Sequence, residues 1–355
     1  MLVASPIHQI LDLARWAPSG DNTQPWRFEI LDEARFVIHG FDTRDHCVYD
    51  LDGHPSQISL GALIETIHIA ASAFGCRVDF ARRMAALETH PTFDAALIPD
   101  PSVTLNALFT AIPHRSVQRR PLNRKRLSQE QKVALEAAVS PCHRILWLDG
   151  FGQKWRTAWL MFANAELRLT AKEAYKVHRD IIHWGTRFSP DRVPDQSLGV
   201  DSMTLKVMKW IMNDWGRVDF FNRYLAGTLA PRIQMDLLPS LRCGAHFVLL
   251  SQAPPITIDD RVEAGRAVQR FWLTATTLGL LHQPELTPLI FSRYVRDGVA
   301  FSASASALKL ASRLAAKSAA LIGPDLANAV WIGRIGSGSP ASARSTRLRL
   351  DQLLH

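Results

Sequence analysis

Cysteine is scarce in this chain of 355 residues, and long apolar runs are missing from it. Its four cysteines stand far apart, with no C-x-x-C pair and no histidine at metal-ligand spacing; they are Cys47, Cys76, Cys142 and Cys243. We therefore predict reduced, partly buried thiols and no zinc site. Apolar stretches such as 247–250 fall far short of the about 20 residues that a membrane span requires, so we also predict no transmembrane helix.

Signals for secretion and for several kinds of side-chain catalysis are missing too. Segment 1–9 lacks the basic and apolar regions of a secretory signal, so we expect a cytoplasmic protein. No nucleophile elbow or pair of carboxylates stands in a supporting context, and the glycines at 333–338 are not followed by the apolar helix of a dinucleotide-binding loop. Any redox chemistry would belong to a cofactor.

Acidic residues are fewer than basic ones, 33 against 41, which gives a net charge of +8. The arginines and lysines concentrate in two segments, 115–126 and 344–349. Segment 115–126 contains none of the interleaved aromatic residues that stack on nucleic-acid bases. Two local clusters favour one small anionic ligand, and we predict no nucleic-acid partner.

A polar loop with the sequence Ala-Pro-Ser-Gly-Asp-Asn-Thr-Gln-Pro-Trp occupies residues 17–26. Apolar residues at helical spacing precede it, Pro18 ends that helix, and the segment after the loop predicts a strand. Ser19, Asn22 and Gln24 would share this loop with free backbone N–H groups. Such a loop suits a polar heterocycle or a phosphate-bearing ligand. An ordinary capped turn is the alternative.

Two predicted helices, 59–75 and 265–279, share a pattern. Each run has glycines at matching places, with an offset of 204 residues from 61 to 265 and from 75 to 279. Predicted strands follow at 76–80 and 330–335. We interpret the pattern as an internal repeat. Because small residues and leucine are common in helices, a chance match is the alternative.

The rest of the chain divides into recognisable segments. Residues 101–113 read as a connector, and a basic segment at 114–122 follows it. A helix capped by Ser128 comes next. Segment 151–239 predicts a tryptophan-rich helical insert, and 300–322 predicts one or two surface helices or, alternatively, a mobile flap.

The loop at 17–26 is similar to the A-P-S-x-x-N-x-Q-P-W segment of the nitroreductase family, and 115–120 resembles that family's R-S-x-x-R type segment. The resemblance implies an α+β, nitroreductase-like fold with mainly antiparallel sheets flanked by helices. A subunit of the family carries both segments, and two subunits complete two flavin sites. Here each half carries the segment that the other lacks. The resemblance therefore implies two related halves, 1–100 and 114–355, fused as an intrachain pseudo-dimer with one intact FMN site.

The resemblance also implies a phosphate-binding group. Arg115, Ser116 and Arg119 would bind the FMN phosphate, since guanidinium groups form bidentate, charge-assisted hydrogen bonds. Arg344 and Arg347 would be further clamps from the C-terminal end. For these two residues, a solvated surface position is the alternative.

Other predicted contacts lie around the flavin ring. The three polar side chains of the first loop would reach the flavin from the other half. The segment 282–286, predicted as a turn, would present backbone N–H groups to the edge of the ring that accepts hydride. Pro284 has no N–H group, so Glu285 or Leu286 would have to supply it.

The resemblance implies an FMN-dependent oxidoreductase that would take hydride from NADH or NADPH and pass electrons to a small acceptor such as a nitroaromatic or a quinone. The alternative is a flavin-sequestering protein with little turnover, in which either 151–239 or 300–322 covers the flavin. We expect a monomer, as a pseudo-dimer, or a weak homodimer.

Overall fold

The structure, a computed structural model, describes residues 5–355. The first four residues, part of the segment in which we predict no secretory signal, lie outside this range. The helices are α1 (Pro6–Ala14), α2 (His54–Ala71), α3 (Gln129–Val139), α4 (Phe151–Thr170), α5 (Lys172–Ile181), α6 (Ser202–Ile211), α7 (Trp215–Tyr224), α8 (Leu229–Pro231), α9 (Leu238–Leu241), α10 (Ile258–Thr277), α11 (Thr287–Asp297), α12 (Ala305–Ile322) and α13 (Leu350–Leu353). The strands are β1 (Trp26–Ile30), β2 (Arg35–Gly40), β3 (Cys76–Arg82), β4 (Thr92–Pro99), β5 (His143–Leu148), β6 (Ile182–His183), β7 (Phe188–Ser189), β8 (Val193–Pro194), β9 (Ala245–Ser251), β10 (Leu281–Pro284), β11 (Ala329–Gly336) and β12 (Arg344–Ser345).

The first half of the chain forms an antiparallel sheet in the order β1-β2-β4-β3. β1, the strand predicted after the loop at 17–26, forms a hairpin with β2, and Asp32 Oδ1 closes it by accepting from the backbone N–H groups of Ala34 and Arg35. Strand residues such as Phe28 pack with α1 and α2 into one core. The predicted helix ends as expected at Gly75, whose φ of 61° is the left-handed conformation that terminates helices.

The second half forms an antiparallel sheet in the order β10-β11-β9-β5. The predicted turn at 282–286 is wrong at its start, because residues 281–284 are β10. His282 pairs with Ile335, and Gln283 pairs with Arg334. β10 is an edge strand and Pro284 is its last residue, where a missing N–H group is tolerated. The chain is thus α+β, as predicted.

Helices α2 and α10 pack on each other between the two sheets, and glycines allow their close approach. A Cβ atom on Gly61 would stand 1.9 Å from the carbonyl oxygen of Val262, and one on Gly265 would stand 2.0 Å from that of Ile58. Among residues 5–355, the stretch His54–Phe74 is long and apolar enough to cross a membrane by length and composition alone, which our prediction did not foresee. Because 72% of it is buried inside the protein, it fits a core helix.

The insert at 151–239 is mainly helical, as predicted, and also carries three short strands. β7 pairs in parallel with β12, so the insert is attached to the C-terminal segment. Residues 300–322 contain one helix, α12, which buries Ala311 and Leu314 against neighbouring helices. We therefore find a packed helix there and not a flap.

Candidate functional site

A cavity of about 290 Å³ lies where the loop at 17–26, helices α2 and α10, the basic segment and the C-terminal segment meet. Its volume is just below the range of about 300–1,000 Å³ that is typical of small-molecule sites. Trp272 and Trp331 contribute aromatic surface to its wall. Of the predicted site residues, those lining the cavity are Ser19, Asn22, Arg115, Ser116, Arg119, Pro284, Leu286, Arg344 and Arg347. Gln24 and Glu285 do not line it.

Three arginines at this cavity, Arg115, Arg344 and Arg347, bond to main-chain oxygens and not to carboxylates. Arg115 donates to the carbonyl of Trp16, and Arg344 donates to that of Pro113, each at 3.0 Å. Arg347 likewise donates at 3.0 Å to the carbonyl of residue 17. Main-chain oxygens carry no net charge, so these hydrogen bonds leave the positive charges without a counterion. Arg119 differs, because the Asp21 carboxylate acts on its charge.

The cost of this arrangement is visible in the pKa values. Burial lowers the pKa of Arg115 well below its ordinary value, and the charges of Arg347 and Arg344 lower it further. Burial also lowers the pKa of Arg347 to about 9. Charged forms are therefore disfavoured by their surroundings, and a multivalent anion would relieve that penalty.

Arg115 also has hydrogen-bonding capacity that the protein does not use. Its Nε atom is buried and has no hydrogen-bond partner in the described part of the chain, and the same holds for Nε of Arg344. The Arg115 guanidinium lies over the Trp272 ring at 4.5 Å from the centroid. An anion with several oxygens, such as a phosphate, could accept from these groups.

The loop at 17–26 adopts a strained backbone. Asp21, Asn22 and Gln24 have φ values of 49°, 64° and 49°, in the left-handed region that costs most residues about 1–2 kcal/mol. Backbone strain of this kind often marks functional loops. Tertiary hydrogen bonds hold the loop in place.

Those hydrogen bonds correct the predicted role of Gln24. Its Nε2 donates to the carbonyl of Pro190 at 2.9 Å, and its Oε1 accepts from the N–H of Leu348 at 3.0 Å. Asn22 Nδ2 lies 3.1 to 3.5 Å from the carbonyls of residues 189, 190 and 192. Both amides therefore bind segment 189–192 of the insert, although Asn22 also borders the cavity.

Replacing Asn22 with aspartate should release this segment. A carboxylate cannot donate to the three carbonyls and would repel them, so we expect a loss of about 2–3 kcal/mol in the free energy of unfolding. Trypsin should then cut faster after Arg187 and Arg192. Exposed Asn123→Asp is the matched control. Equal cleavage rates for both variants would contradict the assigned role.

Glu285 belongs to a buried ionic network beside the cavity. Its carboxylate lies 3.0 Å from Nδ1 of His246 and accepts from Arg334 at 2.5 Å. His246 Nε2 lies 2.9 Å from the carbonyl of Ser240. Because both partners of the imidazole are acceptors, both ring nitrogens must donate, and His246 is an imidazolium.

The same network reaches the cavity through the main-chain carbonyl of Arg119. Arg334 donates to the carbonyl of Arg119 at 2.7 Å. The N–H of Glu285 donates to the carbonyl of Ile332 at 2.9 Å, so it serves the sheet and not a ligand. Of the two N–H donors that we predicted, the one at Leu286 is left for a ligand.

The charge on His246 predicts a loss of stability in alkali. Burial alone would lower the pKa of His246, but Cys243 and the Glu285 carboxylate raise it from 6.5 to about 10. Between pH 6.5 and 10 the folded protein thus holds a proton that the unfolded chain releases, and the free energy of unfolding falls as pH rises. We expect a decrease on the order of 2 kcal/mol between pH 6.5 and 9.

Urea unfolding at both pH values measures this slope. His246→Gln should be less stable at pH 6.5 but should lose the extra decrease at pH 9, whereas exposed His114→Gln should keep it. An unchanged slope in His246→Gln would show that another group is responsible.

Sequence reasoning missed one end of the cavity. Tyr49, from the segment before α2, lies there with Arg168 of α4 and His178 of α5. Asp21 also lines the cavity, and burial raises its pKa while Arg119 and Arg168 lower it. Tyr49, Arg168 and His178 come from separate segments, and no local motif marks them, whereas Asp21 belongs to the loop at 17–26.

The chain matches no family model, and no curated protein matches it. A solved structure, the nitroreductase-like family protein from Bacillus cereus, aligns with 71% of this chain and 96% of its own length, at 15% identity and a TM-score of 0.34. Likeness at this level does not assign the chain to a family.

Proposed function

We propose that this protein binds FMN in the cavity and acts as an oxidoreductase of the nitroreductase type, between NADH or NADPH and a small acceptor such as a nitroaromatic or a quinone. One observation carries the proposal: buried Arg115 and Arg347 and half-buried Arg344 line a single cavity without a carboxylate partner. This arrangement favours a phosphate-bearing ligand. The motif at 17–26 contributes residues to the same cavity, and its similarity to the nitroreductase segment supports FMN among such ligands.

The residues present fit this cofactor. Arg115, Arg344 and Arg347, with the Ser116 hydroxyl, would hold its phosphate. Trp272 and Trp331 offer flat apolar surface for a ring system, and the N–H of Leu286 is the remaining predicted donor for the ring edge. Bound FMN would supply the redox chemistry, which the side chains at the cavity do not provide.

We further infer that the chain is a fused pseudo-dimer with one such site. With the offset of 204 residues, Gly61 corresponds to Gly265 and Ile58 corresponds to Val262. The contact between Gly61 and Val262 is therefore the counterpart of the contact between Gly265 and Ile58. The same offset relates two hydrogen bonds, because Glu65 and Thr66 correspond to Gln269 and Arg270. Arg270 donates to Glu65 at 3.1 Å, and Gln269 donates to Thr66 at 2.9 Å. Reciprocal contacts are the mark of a twofold interface.

A second candidate function, flavin sequestration, is favoured by the position of the insert. Asn22 binds residues 189–192, β7 pairs with β12, and Arg119 donates to the Ser197 hydroxyl at 3.2 Å. The insert is therefore fastened beside the cavity at three places, whereas no residue of α12 lines it. A covered flavin would be shielded from nicotinamide.

The visible spectrum of the purified protein, followed by anaerobic addition of NADPH and NADH, tests both candidates. We expect about one flavin per chain and fast bleaching. Bound flavin that stays oxidised would favour sequestration. Two flavins per chain would overturn the single-site pseudo-dimer, and failure to bind added FMN would overturn the proposed cofactor.

A further inference from the structure

Arg115, Arg344 and Arg347 together are called the arginine cluster here. The end of the cavity away from that cluster contains a pair of hydrogen-bonded rings. The Tyr49 hydroxyl lies 3.0 Å from Nε2 of His178, and the two rings stack with centroids 5.7 Å apart. Both residues line the cavity, as do the apolar side chains of Leu286 and Ile290. A ligand at this end would contact apolar side chains as well as this polar pair.

Both rings are uncharged near neutral pH. Burial, together with the charge of Arg168, lowers the pKa of His178 to about 3. Burial raises the pKa of Tyr49 above its ordinary value. With a hydrogen on Nε2, His178 donates to the Tyr49 oxygen, which leaves the hydroxyl hydrogen free to point into the cavity.

Arg168 adds a positive charge at the same end, and a carboxylate fixes its position. Its Nη2 donates to Asp236 at 2.6 Å. Asp236 belongs to a π-helix, Arg232–Leu237, a local form that is frequent at functional sites. The Asp21 carboxylate also acts on Arg168. One guanidinium among two carboxylates disfavours a second anion here, in contrast to the arginine cluster.

We propose that Tyr49 donates a hydrogen bond to an oxygen of the electron acceptor, and that His178 positions the Tyr49 hydroxyl for it. The acceptor is accordingly an uncharged aromatic molecule with a nitro or carbonyl oxygen. This inference rests on the proposed function, because it gives the acceptor its place in the same cavity.

Calorimetric titration of the purified protein with nitrobenzene, and separately with toluene, tests the contact without turnover. The two probes share a ring, but only nitrobenzene has oxygens. We expect the wild type to bind nitrobenzene about 3- to 10-fold more tightly than toluene. Tyr49→Phe should remove that preference and leave toluene affinity unchanged. Tyr224→Phe, at an exposed tyrosine, should keep the wild-type values.

Two variants separate positioning from packing. His178→Gln keeps an N–H donor and should retain most of the preference, whereas His178→Phe should lose it. Equal affinity of the wild type for both probes, or a preference that survives Tyr49→Phe, would overturn the inference. Flavin content is measured in the same samples. A wild type that cannot bind FMN but discriminates between the probes would refute the proposed cofactor alone, while a flavin-loaded wild type that does not discriminate would refute this subsite alone.

Discussion

Replacing Arg115 with methionine should leave the protein with less than about a tenth of the wild-type flavin content. A charge-assisted hydrogen bond contributes about 1.5–3 kcal/mol, and a guanidinium can make two to one phosphate. Loss of both corresponds to an affinity at least about 100-fold weaker. Absorbance of the purified variant, and its titration with added FMN, measure the change.

The same substitution should stabilise the ligand-free protein. Arg115 is a buried charge without a carboxylate partner, and its lowered pKa reports the cost. Methionine has a similar length and no charge, so we expect the free energy of unfolding without FMN to rise by about 1–2 kcal/mol. A variant that binds worse but melts higher would distinguish a ligand-binding arginine from a structural one.

Arg313→Met, at an exposed position on α12, is the matched control and should change neither quantity. Retention of flavin by Arg115→Met would show that the phosphate binds elsewhere. A lower melting temperature for the ligand-free variant would show that Arg115 is part of the structural framework.

The cavity residues that could be predicted from the sequence are those that belong to short local motifs. Arg115, Arg119 and Ser19 lie in short segments whose residues stand together in the chain, so their grouping is visible before folding. The hairpin at β1 and β2 and the helix capped by Ser128 are local in the same way; the Ser128 hydroxyl accepts from the N–H of Gln131, as its spacing predicts.

Roles that depend on the insert could not be predicted in this way. The side-chain amide of Gln24 can donate a hydrogen bond to a ligand or to a main-chain carbonyl. In the structure it donates to the carbonyl of Pro190, which is 166 residues away in the sequence. Tyr49 and His178 meet across 129 residues. Neither pair leaves a periodic or compositional signal, because each depends on how the insert packs beside the loop at 17–26.

The turn predicted at 282–286 failed for a different reason. Proline normally indicates a turn, but an edge strand tolerates it at its end. His282 also stabilises β10 from inside. Its Nε2 accepts from the Trp331 indole at 3.1 Å, and its Nδ1 bonds to the carbonyl of Arg334 at 3.0 Å. His282, which we predicted to lie in a turn, is thus a buried neutral histidine that links β10 to β11.

Alanine at Gly61 or at Gly265 should cause the largest loss of stability. Each new Cβ atom would stand about 2 Å from a backbone carbonyl oxygen of the facing helix, far inside contact distance. Backbone cannot rotate away as a side chain can, so α2 and α10 would have to separate. We expect a loss of more than about 3 kcal/mol in the free energy of unfolding for either variant.

Thermal and urea unfolding measure this loss, and Gly152→Ala is the matched control. Gly152 lies on the exposed face of α4 with no atom near its missing Cβ, so alanine there should stabilise the protein by about 0.5–1 kcal/mol. Because the two helices meet through reciprocal contacts, the losses at Gly61 and Gly265 should be similar, and flavin content should fall in both variants as the halves part. A large loss at one glycine and none at the other would contradict the twofold packing on which the pseudo-dimer proposal depends.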